Sequence, residues 1–346
     1  MSSDIKVLVI GDPHFKVSNI HETTLMTSNI LNIIDNNIYD FVVVLGDILD
    51  RHETIHVSPL TRAIDFLGKL IQKIPTFILI GNHDLKNNRQ FMSEEHPFTG
   101  LKYFCQVNTY NDLNIKSMII DKTSIITFKN QTFTFVPYVP PGRFVEALNL
   151  CPDWGTSSCI FAHQEFYNCQ MGAITSTKGD KWDLSNPYVV SGHIHDYQEL
   201  QSNILYIGTP FQHSFGDKNN KTISSFVFVD KSTRTQTRIS LNLPKKNIVH
   251  VNSNEIANNI PPKNQELKII ISGTSAEIKA IIKHPNIELW KKLGHKIAFK
   301  NIPLENKNNT LLFNNNFRFS NCLIEKLNNN QRLTNLYNKI FSTLPS

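Results

Sequence analysis

A chain of 346 residues that is 40% hydrophobic and 18% charged can bury one large core and a smaller one, which excludes a disordered or fibrous protein. No apolar run approaches the roughly 20 residues that span a bilayer, and five cysteines (Cys105, Cys151, Cys159, Cys169, Cys322) without a CxxC pair exclude a disulfide framework and a thiolate zinc cage. The net charge of +6 is uneven: residues 241–346 carry 15 Lys and Arg against 6 Asp and Glu, whereas residues 1–240 carry 20 against 23.

The N-terminus enters a strand pattern at once, IKVLVIG (5–11), without the basic start and long apolar stretch of a secretory leader. With the cysteine usage, this points to a soluble intracellular protein that does not enter a membrane. Residues 22–38 space Leu25, Met26, Ile30, Ile33 and Ile34 along one helix face. YDFVVVLG (39–46) reads as a second strand, Leu60, Ile64, Leu67, Leu70 and Ile71 predict a helix over 60–74, and PTFILIG (75–81) reads as a third strand. Mostly strands follow: SMIID (117–121), QTFTFVPYV (131–139), SCIFAH (158–163), PYVVSGH (187–193), ILYIGTP (204–210) and SSFVFVD (224–230). Helix–strand alternation followed by a run of strands predicts a layered α/β sandwich.

The composition changes at NSNEIANNIPPKNQ (252–265), an Asn- and Pro-rich linker pattern. Beyond it, ELKIIISG (266–273) reads as a strand, SAEIKAIIKH (275–284) as a helix with Ser275 at its N-cap, and HKIAFKNI (295–302) as another strand. A second Asn-rich break, ENKNNTLLFNNN (305–316), precedes Leu323, Leu327, Leu333, Leu336, Ile340 and Leu344 on one helical face. That stripe either packs on its own domain or binds a partner. The expected division is a core over 1–245, a small basic domain over 246–304, and an Asn-rich linker with a C-terminal helix over 305–346. The basic excess beyond residue 240 is either a solvated lysine-rich surface or a face for a polyanion.

Five strand runs end alike, in apolar residues, mostly a glycine, and then metal-binding side chains. VIGDPH supplies Asp12 and His14, VLGDILD supplies Asp47 and Asp50, and LIGNHD supplies Asn82, His83 and Asp84. CIFAHQ ends on His163 and VVSGHIH on His193 and His195, which share a face because they lie two apart in extended chain. Ligands of open α/β sheets bind beyond the carboxyl ends of the strands, so these ends can converge. Carboxylates, an amide oxygen and imidazoles without a thiolate suit Mn, Fe or Zn. Two such ions about 3.5–4 Å apart need a shared carboxylate, for which Asp47 is the candidate.

In this order GDPH, GDILDR, GNHD, AHQ and GHIH resemble the signature of the calcineurin-like metallophosphoesterases, and the resemblance spans residues 5 to about 230. It implies a layered αββα sandwich holding two divalent metal ions, and with the segments read beyond residue 245 the expected architecture is that sandwich, a small α+β capping domain and a C-terminal helix. One ion would be held by Asp12, His14, Asp47 and His195, the other by Asp47, Asn82, His163 and His193. Water would attack phosphorus in line. His83 would donate a hydrogen bond or proton to the phosphate or leaving oxygen, and Asp84 would orient His83.

LYIGTPFQHSFGD (205–217) and GNHDLKNN are similar to the SbcD-type DNA repair nucleases, especially phage-encoded ones, which carry a small cap after the core. That branch implies a Mn2+-dependent exonuclease and endonuclease, an SbcC-type coiled-coil ATPase as partner, and homodimers. Lys268, Lys279, Lys283, Lys291, Lys292, Lys296 and Lys300 would then meet DNA phosphates without reading sequence, and residues 321–344 would dock on the ATPase. The alternatives are a phosphoesterase acting on nucleotides, cyclic nucleotides or phosphoproteins, and a non-catalytic scaffold, which a complete ligand set disfavours. The Asp50–Arg51 pair is shared with Ser/Thr phosphatases, but those carry GNHE where this chain has GNHD. The Asn-, Lys- and Ile-rich composition suggests an AT-rich, virus-encoded source.

Overall fold

In the first strand Val7 and Val9 point to one face and Leu8 and Ile10 to the other, and all four are fully buried. A strand buried on both faces belongs in the middle of a stack of layers. The computed structural model describes residues 4–107, 115–258 and 265–303. Its first half alternates β1 (Ile5–Ile10), α1 (Ile20–Asp35), β2 (Phe41–Val44), α2 (Val57–Lys73), β3 (Thr76–Leu79), α3 (Leu101–Val107) and β4 (Met118–Ile120). Next come β5 (Ser124–Phe128), β6 (Gln131–Val136), α4 (Phe144–Leu148), β7 (Cys159–His163) and a hairpin of β8 (Gln170–Met171) and β9 (Ile174–Thr175). Then follow β10 (Val189–Gly192), β11 (Gln198–Gln201), β12 (Ile204–Tyr206), β13 (Ile223–Phe228) and β14 (Arg234–Ile239).

Two six-stranded sheets result, ordered β14-β13-β1-β2-β3-β4 and β11-β12-β10-β7-β6-β5. Strands β1 to β4 are parallel, as are β12, β10, β7 and β6; antiparallel strands extend each sheet at its edges. Phe41, Phe77, Phe133, Phe135, Phe161 and Phe228 fill the space between the sheets. Each such side chain contributes about 1.5–3 kcal/mol by leaving water. Helices α1 and α2 cover the outer face of the first sheet through Met26, Ile30, Phe66, Leu67 and Leu70. The second sheet is covered by the short α4 with Phe144, Phe166 and Trp182. This is the expected αββα sandwich, with one thin outer layer. Among the described residues no helix is long and apolar enough to cross a membrane.

The chain then forms a separate parallel sheet of β15 (Lys246–Asn252), β16 (Glu266–Gly273) and, after α5 (Ser275–Ile281) and α6 (Pro285–Lys292), β17 (Lys296–Asn301). Burial alternates along β16: Leu267, Ile269 and Ile271 pack under Ile287 and Trp290. The opposite face sets Lys268, Ile270 and Ser272 in register with Ile248, His250 and Asn252 on one side and Lys296, Ala298 and Lys300 on the other. Lys246 ties this unit to the larger one, its ammonium 2.7 Å from Glu22 Oε1 and its backbone paired with the Gln212 amide.

Two local expectations change. Thr274, not Ser275, caps α5, because the extended backbone at Thr274 lets its hydroxyl accept from the Glu277 amide. The stretch read as a linker over 252–265 begins instead with the last residue of β15 and a 3-10 turn, Ser253–Asn258, whose Ile256 packs into the small core. The C-terminal stripe from Leu323 to Leu344 lies outside the described residues.

Candidate metal centre

Asp12 and His14 follow β1, Asp47 follows β2, Asn82 to Asp84 follow β3, His163 ends β7, and His193 and His195 follow β10. All stand at the carboxyl ends of parallel strands, where a βα sheet leaves its crevice. The structure brings the seven expected ligands and His83 together. Asp12, His14 and His195 offer ligand atoms within 4.8 Å of one another, and so do Asp47, His163 and His193. Each cluster takes donors from both sheets. Asp47 lies between them, its Oδ2 3.6 Å from His14 Nε2 and its Oδ1 3.3 Å from His163 Nε2. The Asn82 Oδ1 is 3.1 Å from His163 Nε2 and 3.0 Å from His193 Nδ1, while its amide nitrogen donates to Asn88 and so holds the oxygen inward.

The backbone is bent to make this convergence. His14, Asp47 and His193 have φ of 42°, 46° and 79°, a region that costs non-glycine residues about 1–3 kcal/mol each. Local hydrogen bonds hold the bends: His14 N donates to the Asp47 carbonyl (3.0 Å), His83 N to Asp47 Oδ1 (2.9 Å) and His193 N to Asp12 Oδ2 (2.8 Å). Two glycines are set by close approach. A Cβ on Gly81 would strike the amide and carboxylate of Asp47, and one on Gly192 would strike Asp12 Oδ1 and His163 Nδ1.

The donor set fits cations. His163 Nδ1 lies 2.7 Å from the Leu45 carbonyl, which can only accept, so the neutral ring carries its proton there and turns the Nε2 lone pair toward Asn82 and Asp47 oxygens. The Nε2 atoms of His14 and His195 face each other at 3.1 Å, and Asp12 Oδ1 is buried without a hydrogen bond. Acceptors directed at acceptors repel unless a proton or a cation lies between them.

Electrostatics gives the same picture. Burial lifts Asp12 to about 8, opposed by His163 and aided by Asp47. Burial also pushes Asp47 up, but His163, then His14 and His83, outweigh it and hold this carboxyl well below its ordinary value. Burial lowers His163, yet Asp47 and Asp12 overcome it and bring the ring to about 9. Burial, reinforced by His163, takes His193 down to about 3, and burial likewise lowers His14 and His195. Near pH 7 the imidazoles of His14, His193 and His195 are therefore neutral and able to bind a cation, while protons on Asp12 and His163 occupy places a dication would take.

His83 stands at the mouth, its Nε2 4.0 Å from Asp47 Oδ2, and a third of its side chain is exposed. The expected Asp84–His83 side-chain hydrogen bond is not formed: His83 Nδ1 has no partner among the described residues. The Asp84 carboxylate accepts from the backbone amides of Ile48, Leu49 and Gly81 (3.2, 2.9 and 3.0 Å), so it clamps the loop after β2 onto the loop after β3. Backbone donors held it because three amides converge where the two turns meet. Instead, His52 lies flat against His83, ring centroids 4.9 Å apart and planes 10° apart. His213 also escaped the sequence reading. Its Nε2 donates to the Asp12 carbonyl (3.1 Å), and its ring packs edge-on against His14 and His195. The only sequence signal for it was its place within TPFQHSFGD.

Residues 5–197 match the calcineurin-like phosphoesterase family. A protein of Invertebrate iridescent virus 6 designated phosphoesterase 244L is 44% identical over 286 residues, 81% of this chain and 98% of that protein. The protein designated phosphoesterase 078R of Invertebrate iridescent virus 3 is 39% identical over 332 residues, 94% of this chain and 92% of its own length. Exonuclease subunit 1 of Enterobacteria phage T4 is 24% identical over 198 residues, 55% of this chain and 53% of that protein. With two clusters of His and Asp donors at the strand ends and a family match over most of the sandwich, the chain belongs to the calcineurin-like phosphoesterases, hydrolases of phosphoester bonds that use divalent metal ions.

Proposed function

We propose that the protein is a two-metal phosphodiesterase that cuts DNA. The observation that carries the reading is Asp47, whose two carboxylate oxygens face separate ligand clusters. Asp12, His14, Asp47 and His195 would hold one Mn2+ and Asp47, Asn82, His163 and His193 the other. The bound ions would polarise the phosphoryl group and make the attacking water acidic. The water oxygen bonds to phosphorus and releases a proton to solvent, the bond to the leaving oxygen breaks, that oxygen takes a proton from His83, and the ring regains one from solvent. One water is consumed per diester, giving a monoester and an alcohol.

Two observations favour DNA over a small diester. The uncovered face of the β15–β17 sheet carries Lys268, Lys296 and Lys300 with His250. Its Lys296 ammonium lies 5.2 Å over the Phe215 ring, two residues past His213 in the chain. Such a face suits a phosphate backbone held without base readout. The similarity to a phage exonuclease subunit supports a nucleic-acid substrate. We extend the proposal to residues 246–304 as a capping domain after a 1–245 core, to an SbcC-type ATPase partner docked by residues 321–344, and to a homodimer.

The test is cleavage of linear double-stranded and hairpin DNA with Mn2+, comparing wild type with His83→Ala. Manganese-dependent cleavage lost in the variant is expected. Turnover of bis-p-nitrophenyl phosphate without DNA cleavage, even with the ATPase added, would leave a small-molecule phosphodiesterase in its place.

A further inference from the structure

A cavity of about 410 Å³ is lined by His83 but by none of the residues of the two ligand clusters. It runs between the segment that follows β2 and the segment that precedes α3. Leu49, Ile55, Leu85 and Pro97 give it apolar surface, and His83, Arg51, Lys86, Glu53 and Glu95 add polar and charged groups of both signs. We propose that this cavity receives the nucleoside on the leaving side of the scissile phosphate, an assignment that rests on the phosphodiesterase reading.

The cavity is held in shape from several directions. Asp84 accepts from Leu49 N, fixing one wall to the His83 segment. The His52 ring stacks on His83, and its Nδ1 donates to the Leu85 carbonyl at 3.1 Å, joining the two segments directly. Lys86 and Glu53 pair at 3.8 Å, and Glu53 adopts a φ of 53°, which folds the loop after β2 back toward the site. A site whose walls are fixed before binding spends little on ordering them.

Position and chemistry select the occupant. A donor to the leaving oxygen stands beside the P–O bond that breaks, so the group carried by that oxygen lies next to His83, which also lines this cavity. The volume lies within the range of pockets that hold small ligands. Apolar walls suit the faces of a base, and Ile55, 48% exposed, gives a surface for one to cover. Arg51 makes no hydrogen bond or ion pair among the described residues, so its guanidinium is free to stack on a base or meet the next phosphate. A serine leaving from a phosphopeptide would bring only its short side chain and leave the walls bare.

The experiment compares two diesters in Mn2+: the dinucleotide thymidylyl-thymidine, whose leaving group is a nucleoside, and bis-p-nitrophenyl phosphate, which has none. The variants are Ile55→Asp and Arg51→Gln, both at exposed positions where folding is preserved. The ratio of kcat/KM for the dinucleotide over the nitrophenyl ester is expected to fall about tenfold or more in each, the scale at which pocket contacts discriminate substrates. A ratio unchanged in both variants, or no cleavage of the dinucleotide by wild-type protein that turns over the nitrophenyl ester, overturns the cavity assignment alone. Hydrolysis of neither ester by the wild type overturns the phosphodiesterase reading together with it.

Discussion

The Nε2 atoms of His14 and His195 face each other at 3.1 Å, one ring from each half of the sandwich. Removing the second ring leaves Asp47, His163 and His193 untouched. Mn2+ titration of metal-free protein is therefore expected to fall from two sites to one in His195→Ala. Two sites of unaltered affinity would contradict the first cluster.

His83 sits at the mouth and outside both clusters. His83→Ala is expected to lower kcat by about 10²–10⁴, the range of a lost proton donor, while both Mn2+ sites still titrate. Loss of a metal together with activity would instead make His83 a ligand.

Metal uptake should release protons. The protons on Asp12, held to about 8, and on His163, held to about 9, must leave before a cation enters. Both groups bind protons more tightly here than in free chain, so the competition weakens as pH rises. Apparent Mn2+ affinity is expected to climb from pH 6 to pH 9. Calorimetry in two buffers of different ionisation enthalpy counts the protons, and a pH-independent affinity with none released would rule this picture out.

The Asp84 clamp is a matter of stability before chemistry. Asp84→Asn turns an amide NH2 toward backbone N–H donors from Ile48, Leu49 and Gly81. The loss is expected at about 1–3 kcal/mol in urea unfolding of the metal-free protein. A change below about 0.5 kcal/mol, the scatter of an ordinary surface substitution, would show that these bonds hold nothing together.

His213 packs behind the first cluster. His213→Leu keeps bulk but loses the bond to the Asp12 carbonyl, and should weaken one Mn2+ site about 10- to 100-fold. His213→Asn, whose amide can still donate, should restore part of it. Equal weakening of both sites in each variant would mark a general packing defect.

The strand ends that carry the candidate ligands were legible because each lies after an apolar run closed by a glycine or a short turn, and the residue types there serve no core. Strand β14 was not legible, because RTQTRI at a sheet edge alternates exposed and half-buried positions without an apolar run. The task of Asp84 was hidden because its partners are backbone amides, which no side-chain pattern displays. His52 and His213 were hidden for another reason. Each reaches the site from an irregular segment whose path depends on the packing of everything else.

Each donor cluster draws from both sheets: Asp12 and His14 with His195, and Asp47 with His163 and His193. At depth the two halves adhere through phenylalanines, but along this rim they meet through polar groups, among them the His163 ring on the Leu45 carbonyl and the His193 amide on Asp12, and through donors that a cation could share. The centre is thus also a clasp. A chelator would do more than silence the protein: it would let the strand ends part, and the amides of the Asp47 and His193 turns would exchange with solvent long before the aromatic interior opened.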